Sequence, residues 1–513
     1  MAEIELKLLV DEAEAAAFWR RAIAAGLAEA APKPRLLRSV YFDSEDHALK
    51  RAGIALRLRR DGRRWVQTAK AKAALSGGLS RVEEFEAPAP GGRLDLSMID
   101  SPALREEIAA AGPLVPVCET SIRRAAGLLT RGDGLKAELA VDKGEIIAGD
   151  AQAPLCEVEL ELLEGPVAGL YDLALELAGD GVLRFSRLSK AARGYLLAAE
   201  GRIERKPAVR NAETPPLHGG MTAEEAAQAV LRECLAQIAA NMEFSATAQD
   251  PEGPHQLRVG LRRLRSTLSV FGSALKGPES ARLGAETRWL AGEAGRLRDL
   301  EVALDDVVGR EAAANPGETG FVRLAADLLA AVEAERGRLR ETLRGERARA
   351  FVLHLARFAE CRGWLLPEDI GQTARLAEPA PALASAALDK AWRAAAKRAR
   401  GLETLDVEAR HELRKALKKL RYAIEFAAPL YGPKKVSAFI KRLKALQDIF
   451  GDLNDAAMAE ALFSAPGAPG EGDPAAQRAI GRVLGAANAR ADEKWRMATT
   501  LWRELEGVKT FWR

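Results

Sequence analysis

Ionisable and aliphatic residues alternate strictly in three stretches of this chain. They are Glu3-Ile4-Glu5-Leu6-Lys7, Arg57-Leu58-Arg59 and Glu157-Val158-Glu159-Leu160-Glu161. A period of two predicts β-strands, with every charge on one face and every aliphatic on the other. An ordinary sheet would turn that charged face to water. Here large aliphatics separate the charges, as in strands whose outer face is covered, and the stretches differ in sign. A sheet closed into a barrel turns one face inward, and a wide barrel has a polar interior. Buried charges are costly unless paired or metal-bound, so such an interior implies a highly charged ligand.

Further short runs predict strands at Ser39–Phe42, Ile54–Arg60, Trp65–Lys70, Glu83–Glu86, Lys136–Val141 and Leu155–Leu163, with helices at Glu12–Gly26 and Val167–Ala178. Several strands with few helices predict an α+β domain built on a barrel-like sheet, residues 1–205. Residues 206–220 contain Pro207, Pro215, Pro216 and Gly219-Gly220 and read as a linker. Thr222 followed by Glu225 is a capping box that opens a helix.

From residue 221 to 513 the pattern is helical and it repeats. His255-Gln256-Leu257-Arg258 and Arg262-Arg263-Leu264-Arg265 return as His411-Glu412-Leu413-Arg414 and Lys418-Lys419-Leu420-Arg421. Gly295-Arg296-Leu297-Arg298-Asp299 returns as Gly451-Asp452-Leu453-Asn454-Asp455, at the same offset of 156 residues. Two anchors at one offset predict two copies of a helical unit, about 221–370 and 371–513, most simply two four-helix bundles.

At about 100° per residue, His255, Arg258, Arg262 and Arg265 form one stripe, with Leu257, Leu261, Leu264 and Leu268 on a separate arc. His411, Arg414, Lys418 and Arg421 reproduce the stripe, with Leu413, Leu417 and Leu420 behind it. A solvated face usually mixes signs at i+4. These stripes contain almost no acidic partners, so a counter-anion from outside is expected. Readers of nucleic acid add aromatic or polar groups to the basic surface, whereas only 5% of this chain is aromatic. A linear polyanion, inorganic polyphosphate, is the better fit. The two histidines can alternatively be core residues satisfied by hydrogen bonds.

Charge agrees with this division. Residues 1–200 carry 27 Lys and Arg against 31 Asp and Glu, and the remainder carries 49 against 42, so the excess of cations lies in the helical part. No apolar run reaches the roughly 18 residues of a membrane span, and the acidic start lacks the pattern of a secretory signal. Four scattered cysteines, Cys118, Cys156, Cys234 and Cys361, form no metal-ligand pair and read as reduced thiols of a cytoplasmic protein.

The opening Glu3-x-Glu5-x-Lys7 resembles the signature of CYTH domains, the triphosphate tunnel metalloenzymes. Tyr41-Phe42-Asp43, Arg57-x-Arg59, Lys70, Arg81 with Glu84 and Glu86, Asp142, Glu157-x-Glu159-x-Glu161, and Ser189-Lys190 before Arg193-Gly194-Tyr195 follow in that family's order. The duplicated basic helices resemble the CHAD domain, a helical module associated with polyphosphate. The tandem is similar to that of bacterial inorganic triphosphatases. The resemblance implies an eight-stranded antiparallel tunnel binding a triphosphate and Mg²⁺ or Mn²⁺, with hydrolysis of tripolyphosphate to pyrophosphate and phosphate. Hard carboxylate ligands for the metal would be Glu3, Glu5, Asp142, Glu157 and Glu159, with Glu161 assisting. Phosphate oxygens would be held by Lys7, Arg57, Arg59, Lys70, Lys190 and one of Arg123 and Arg124, with Arg124 taken as the candidate. Hydrolysis would depend on Glu5, Lys7 and Glu159. A metal-held water attacking in line suffices, without a nucleophilic side chain.

Cys118 stands where the family more often places an aromatic residue. The same tunnel also allows a thiamine triphosphatase or an adenylate cyclase, and the helical part allows a non-catalytic protein associated with polyphosphate granules.

Overall fold

The computed structural model describes residues 2–179 and 184–513. The chain forms two compact units, Met1–Pro207 with Arg344–Arg362, and Ala208–Leu343 with Gly363–Arg513.

The first unit is built on β1 (Ala2–Leu9), β2 (Arg35–Asp43), β3 (Ala55–Asp61), β4 (Arg64–Ser76), β5 (Leu79–Pro88), β6 (Val115–Thr130), β7 (Lys136–Ala148), β8 (Ala151–Glu164) and the short β9 (Arg184–Phe185). Its helices are α1 (Glu12–Ala24), α2 (Ala48–Arg51), α3 (Pro102–Ala110), α4 (Ala168–Leu177) and α5 (Lys190–Glu200). The strands run β5-β4-β3-β2-β6-β7-β8-β1, and β1 pairs with β5 to close an antiparallel barrel of eight strands. β9 continues the edge that β5 leaves, pairing Phe185 with Leu8. The residues on the outer face of β1 and β8, Leu6, Leu8, Val158 and Leu160, are 0–1% exposed. Helices α1 and α4 lie against these strands. Each such burial contributes about 1.5–3 kcal/mol, so the covered outer face holds the charged inner face in place.

One end of the barrel is filled. Cys118 and Ile122 share the strand parity of Arg124, as Ile146 shares that of Asp142 and Leu155 that of Glu157. With Tyr41 they pack around Ala191, Tyr195 and Leu197 of α5. A Cβ at position 194 would collide with Cys118 Sγ, so glycine is required there and a large residue at 118 is excluded. β6 is the strand that hydrophobic alternation does not announce. Its inner face is apolar beside α5 and polar further along, which erases the period-two signal.

The second unit contains α6 (Ala223–Thr247), α7 (Glu252–Val270), α8 (Gly272–Leu275), α9 (Pro278–Val302), α10 (Gly309–Ala314), α11 (Gly320–Arg344), α13 (Ile370–Ala377), α14 (Ala380–Arg398), α15 (Val407–Ala427), α16 (Pro433–Phe463) and α17 (Pro474–Glu506). The remaining helix, α12 (Glu346–Glu360), packs with the first unit. Thr222 and Glu225 form the reciprocal capping box that starts α6. Leu257, Leu261 and Leu264 of α7, like Leu413, Leu417 and Leu420 of α15, are fully buried. α14, α15, α16 and α17 share one core, in which Trp392 stacks on Trp502.

α12 lies in the sequence among these helices but rests against α4. Arg357 pairs with Asp172 at 2.9 Å, and Glu360 accepts from Ser76 Oγ at 2.6 Å. Among the described residues no helix is long and apolar enough to cross a membrane, and the four cysteines are free.

Candidate active site

Strand parity delivers the charges to the barrel interior. A cavity of about 300 Å³ is lined by Glu3, Glu5 and Lys7 of β1, Arg57 and Arg59 of β3, Lys70 of β4, Glu84 and Glu86 of β5, Arg124 of β6, Glu138 of β7, Glu159 and Glu161 of β8, and Lys190 at the first turn of α5. Asp142 and Glu157 lie just behind, 0% and 1% exposed. Glu3, Glu5, Lys7, Arg57, Arg59, Lys70, Arg124, Glu159, Glu161 and Lys190 therefore line one chamber, with Asp142 and Glu157 buried beside it.

Register sets the pairs. Lys7 lies opposite Glu159, and Arg124 opposite Asp142. Lys7 Nζ is 2.8 Å from Glu5 and 3.0 Å from Glu159. Arg124 donates to both oxygens of Asp142, at 2.8 and 2.7 Å, and also to Glu159. Lys190 Nζ sits among three carboxylates, 2.8 Å from both Asp142 and Glu159 and in contact with Glu157. The register also pairs Arg123 with Lys143 and leaves it on the exposed outer face, so Arg124 is the arginine in the tunnel. Arg81 faces outward as well, toward Glu360 of α12.

These contacts polarise the chamber. Burial opposes ionisation of Glu159, but Lys190, Lys7 and Arg124 together hold it well below the usual carboxylate range. Lys190 is likewise held well above the lysine range, against its burial, by Asp142, Glu157 and Glu159. The other end lacks this excess of cations. There burial and the carboxylates of Glu3, Glu138, Glu5 and Glu84 push Glu161 up to about 7. Burial also raises Glu3 and Glu5.

The five candidate metal ligands divide accordingly. Glu3 and Glu5 belong to the acidic end near Glu161. Asp142, Glu157 and Glu159 present carboxylate oxygens within 4.8 Å of one another. Glu157 Oε2 is buried with no hydrogen-bond partner, 3.8 Å from the Arg193 guanidinium. An all-oxygen set with an unsatisfied lone pair fits a hard divalent cation.

Two groups in the tunnel have roles that the alternation alone did not assign. Glu84 and Glu86 hold the basic residues: Arg59 donates to Glu86 at 2.8 Å, Arg57 to Glu84 at 3.5 Å, and Lys70 lies 3.3 Å from Glu84. The signal was present, since Glu84-Phe85-Glu86 alternates too. Glu138 joins the acidic end and stands four residues before Asp142 on the same face.

In the helical unit the two basic stripes meet. Arg262 of α7 donates to the Tyr422 hydroxyl of α15 at 3.1 Å. Desolvation, then the charges of Arg414, Arg262 and Arg258, push Lys418 down to about 7. Anchors from the repeated element hold the arginines: Arg258 binds Asp299 at 2.8 Å, whereas Arg414 binds Asn454, the neighbour of the repeat-equivalent Asp455, at 2.5 Å. His255 and His411 are both lowered, by desolvation first and by neighbouring cations next. Arg265 is exposed, and Arg421 is engaged by Glu425 and Gln447 at 2.7 and 3.3 Å. The crowded part of the stripes is therefore Arg258, Arg262, Arg414 and Lys418.

Comparison with known proteins matches the CYTH domain family to residues 1–195 and the CHAD domain family to residues 229–464. An inorganic triphosphatase of Haemophilus influenzae is 31% identical over 168 residues, 32% of this chain and 46% of that protein. The match thus spans just under half of that relative's length. An uncharacterised protein of Mycobacterium tuberculosis is 28% identical over 481 residues, 88% of this chain and 86% of its own. Among solved structures, the crystal structure of the CHAD domain from the plant Ricinus communis superposes with a TM-score of 0.51 at 27% identity, covering 59% of this chain and 98% of that one. The chain therefore belongs to the CYTH and CHAD families, with a CYTH domain at residues 1–195 followed by a CHAD domain at residues 229–464.

Proposed function

We propose that the barrel hydrolyses tripolyphosphate to pyrophosphate and phosphate with Mg²⁺ or Mn²⁺, and that the helical unit binds inorganic polyphosphate. The observation that carries this is the chamber in which Lys7, Arg124 and Lys190 converge on Glu159. Six cations, Lys7, Arg57, Arg59, Lys70, Arg124 and Lys190, line a chamber narrow enough for a phosphate chain. Each is now neutralised by a carboxylate. An entering triphosphate exchanges places with these carboxylates, so Lys7, Arg124 and Lys190 turn to phosphate oxygens. Their flexible or forked donors make that exchange without moving the strands.

The exchange frees Asp142, Glu157 and Glu159 for a divalent cation, and Glu3, Glu5 and Glu161 form the second acidic set. Such a cation neutralises phosphate charge and makes bound water a better nucleophile. The residues themselves bind, align and neutralise, which is most of what phosphoryl transfer requires. Glu5 and Glu159 flank Lys7 and keep its ammonium protonated and aimed into the chamber.

Phosphate release from tripolyphosphate with Mg²⁺ or Mn²⁺ tests the reading. Glu5→Ala and Lys7→Ala should abolish it, and full activity in both variants would overturn the assignment. Comparing kcat/KM for tripolyphosphate, thiamine triphosphate and ATP ranks the substrates. For the helical unit, log K for polyphosphate should fall with log salt by nearly one unit per neutralised phosphate. Replacing Arg258, Arg262 and Arg265 by Ala, or Arg414, Lys418 and Arg421, should flatten that slope by roughly two to three. Association with polyphosphate granules follows from the same affinity.

A further inference from the structure

The face of α15 about a quarter-turn from Arg414 and Lys418 borders a cavity that neither proposed activity uses. Its volume is about 470 Å³, within the usual range for small-molecule sites, and its walls come from α14 with the preceding Glu378, from α15, from the end of α7 and from the start of α8. Val270, Leu383, Ala387, Ala391 and Ala416 supply an apolar floor, with Ser269, Ser273 and Glu378 near Val270 and Leu383 in the sequence. Lys390, Arg398, Lys415 and Lys419 line it too, together with Glu412. On α14 Leu383 and Lys390 stand seven positions apart, about 10 Å along the helix.

The cations are not spent on internal pairs. Lys415 pairs with Glu412, but Lys390 and Lys419 have no ion-pair partner among the described residues. Partial desolvation, then the charges of Lys390 and Arg398, hold Lys419 below the lysine range, so these groups crowd one another. Tolerated crowding next to an apolar floor is the surface complement of a molecule with a charged head and an apolar body.

We propose that this cavity binds a single-chain amphipathic anion, a carboxylate or phosphate group carried on an alkyl chain. The head lies among Lys390, Arg398 and Lys419, and the chain follows Ala391 and Ala387 toward Leu383 and Val270. A simple inorganic anion would leave the apolar floor unused. A nucleobase would find no aromatic side chain to stack on, because none lines the cavity. A long polyanion finds a denser field of cations where α7 meets α15.

Isothermal titration of the full chain with octyl phosphate, with inorganic phosphate as the control, tests the proposal. Octyl phosphate should bind, and inorganic phosphate should bind at least about tenfold more weakly. The double variant Lys390→Ala/Lys419→Ala should weaken octyl phosphate by about tenfold or more. Ala387→Trp should weaken it by filling the chain's path. Polyphosphate affinity and tripolyphosphate hydrolysis should be unchanged in both, which separates this site from the functions proposed above. Equal affinity for the two ligands, or octyl phosphate binding that survives in the lysine double variant, overturns the proposal. If the tryptophan variant does not fold, the lysine variant, whose side chains are exposed, decides.

Discussion

The Tyr195 hydroxyl donates to Asp43 Oδ2 across 2.6 Å, joining the end of β2 to the helix that carries Lys190. Asp43 is fully buried and also accepts the N–H groups of Ser44, Leu49 and Lys50 at 2.8, 2.8 and 3.0 Å. A turn outside the chamber thereby fixes how far Lys190 reaches into it. Tyr195→Phe removes one donor from a buried carboxylate and should cost about 1–3 kcal/mol. Thermal melting reads that cost. A rise in KM for tripolyphosphate larger than the fall in kcat would show that Lys190 is displaced.

Lys190 neutralises three carboxylates, so its loss exposes their repulsion. Lys190→Ala should destabilise the metal-free barrel by about 3 kcal/mol, the scale of a broken buried pair. Added Mg²⁺ should return part of this through binding to the folded state alone. Melting curves with and without Mg²⁺ should differ more in the variant than in the parent, and equal differences would argue against a metal among Asp142, Glu157 and Glu159.

Glu161 provides a pH signature. Its carboxyl is raised from 4.5 to about 7, so between those values the folded chain holds a proton that the unfolded chain has released. Its contribution is therefore fully present below about 4.5 and is lost as pH rises through about 7. Glu161→Gln should flatten the decline in melting temperature over that window. The raised Glu3 and Glu5 contribute in the same direction, so some slope should remain.

Lys418 acts in a different window. Its amine is lowered from 10.5 to about 7, so near pH 8 it is mostly neutral in the free protein. A bound polyanion favours its charged form, and polyphosphate binding at pH 8 should take up as much as about one proton. Titration calorimetry in buffers of different ionisation enthalpy measures the uptake, and Lys418→Met should abolish most of it.

A chain truncated after Pro207 keeps every strand of the barrel but loses α12, and with it the partners of Ser76, Arg81 and Asp172. A loss of about 2 kcal/mol would lower the melting temperature by about 4–8 °C. Fusing residues 344–362 back through a flexible linker should restore stability. Identical melting of the truncated and fused chains would show that α12 contributes nothing to the barrel.

Much of the chamber was legible beforehand because strand parity is local. Once Glu3, Glu5 and Lys7 lie on one strand they share a face, whatever the rest of the chain does. The same holds for Glu157, Glu159 and Glu161. The leucine arcs of α7 and α15, the capping box of Thr222 and Glu225, and the 156-residue repeat are equally local, and they predicted the helical half. Arg265 shows the limit of such reasoning. A helical wheel places it on the basic stripe, but the wheel does not say which part of an arc a neighbouring helix covers.

The amino-acid sequence alone thus determined which residues share a face and that basic stripes occur twice. Tertiary structure decided which of those faces meet. The choice of Arg124 over Arg123 rests on the register of β6 against β7, the gathering of Asp142, Glu157 and Glu159 around Lys190 on a helix filling one barrel end, and the place of α12 on packing against an element some 180 residues earlier. The physical reason is range. Periodicity reflects the geometry of one element, whereas register, plugging and docking depend on shape and charge complementarity between segments far apart in the chain, which no local pattern encodes.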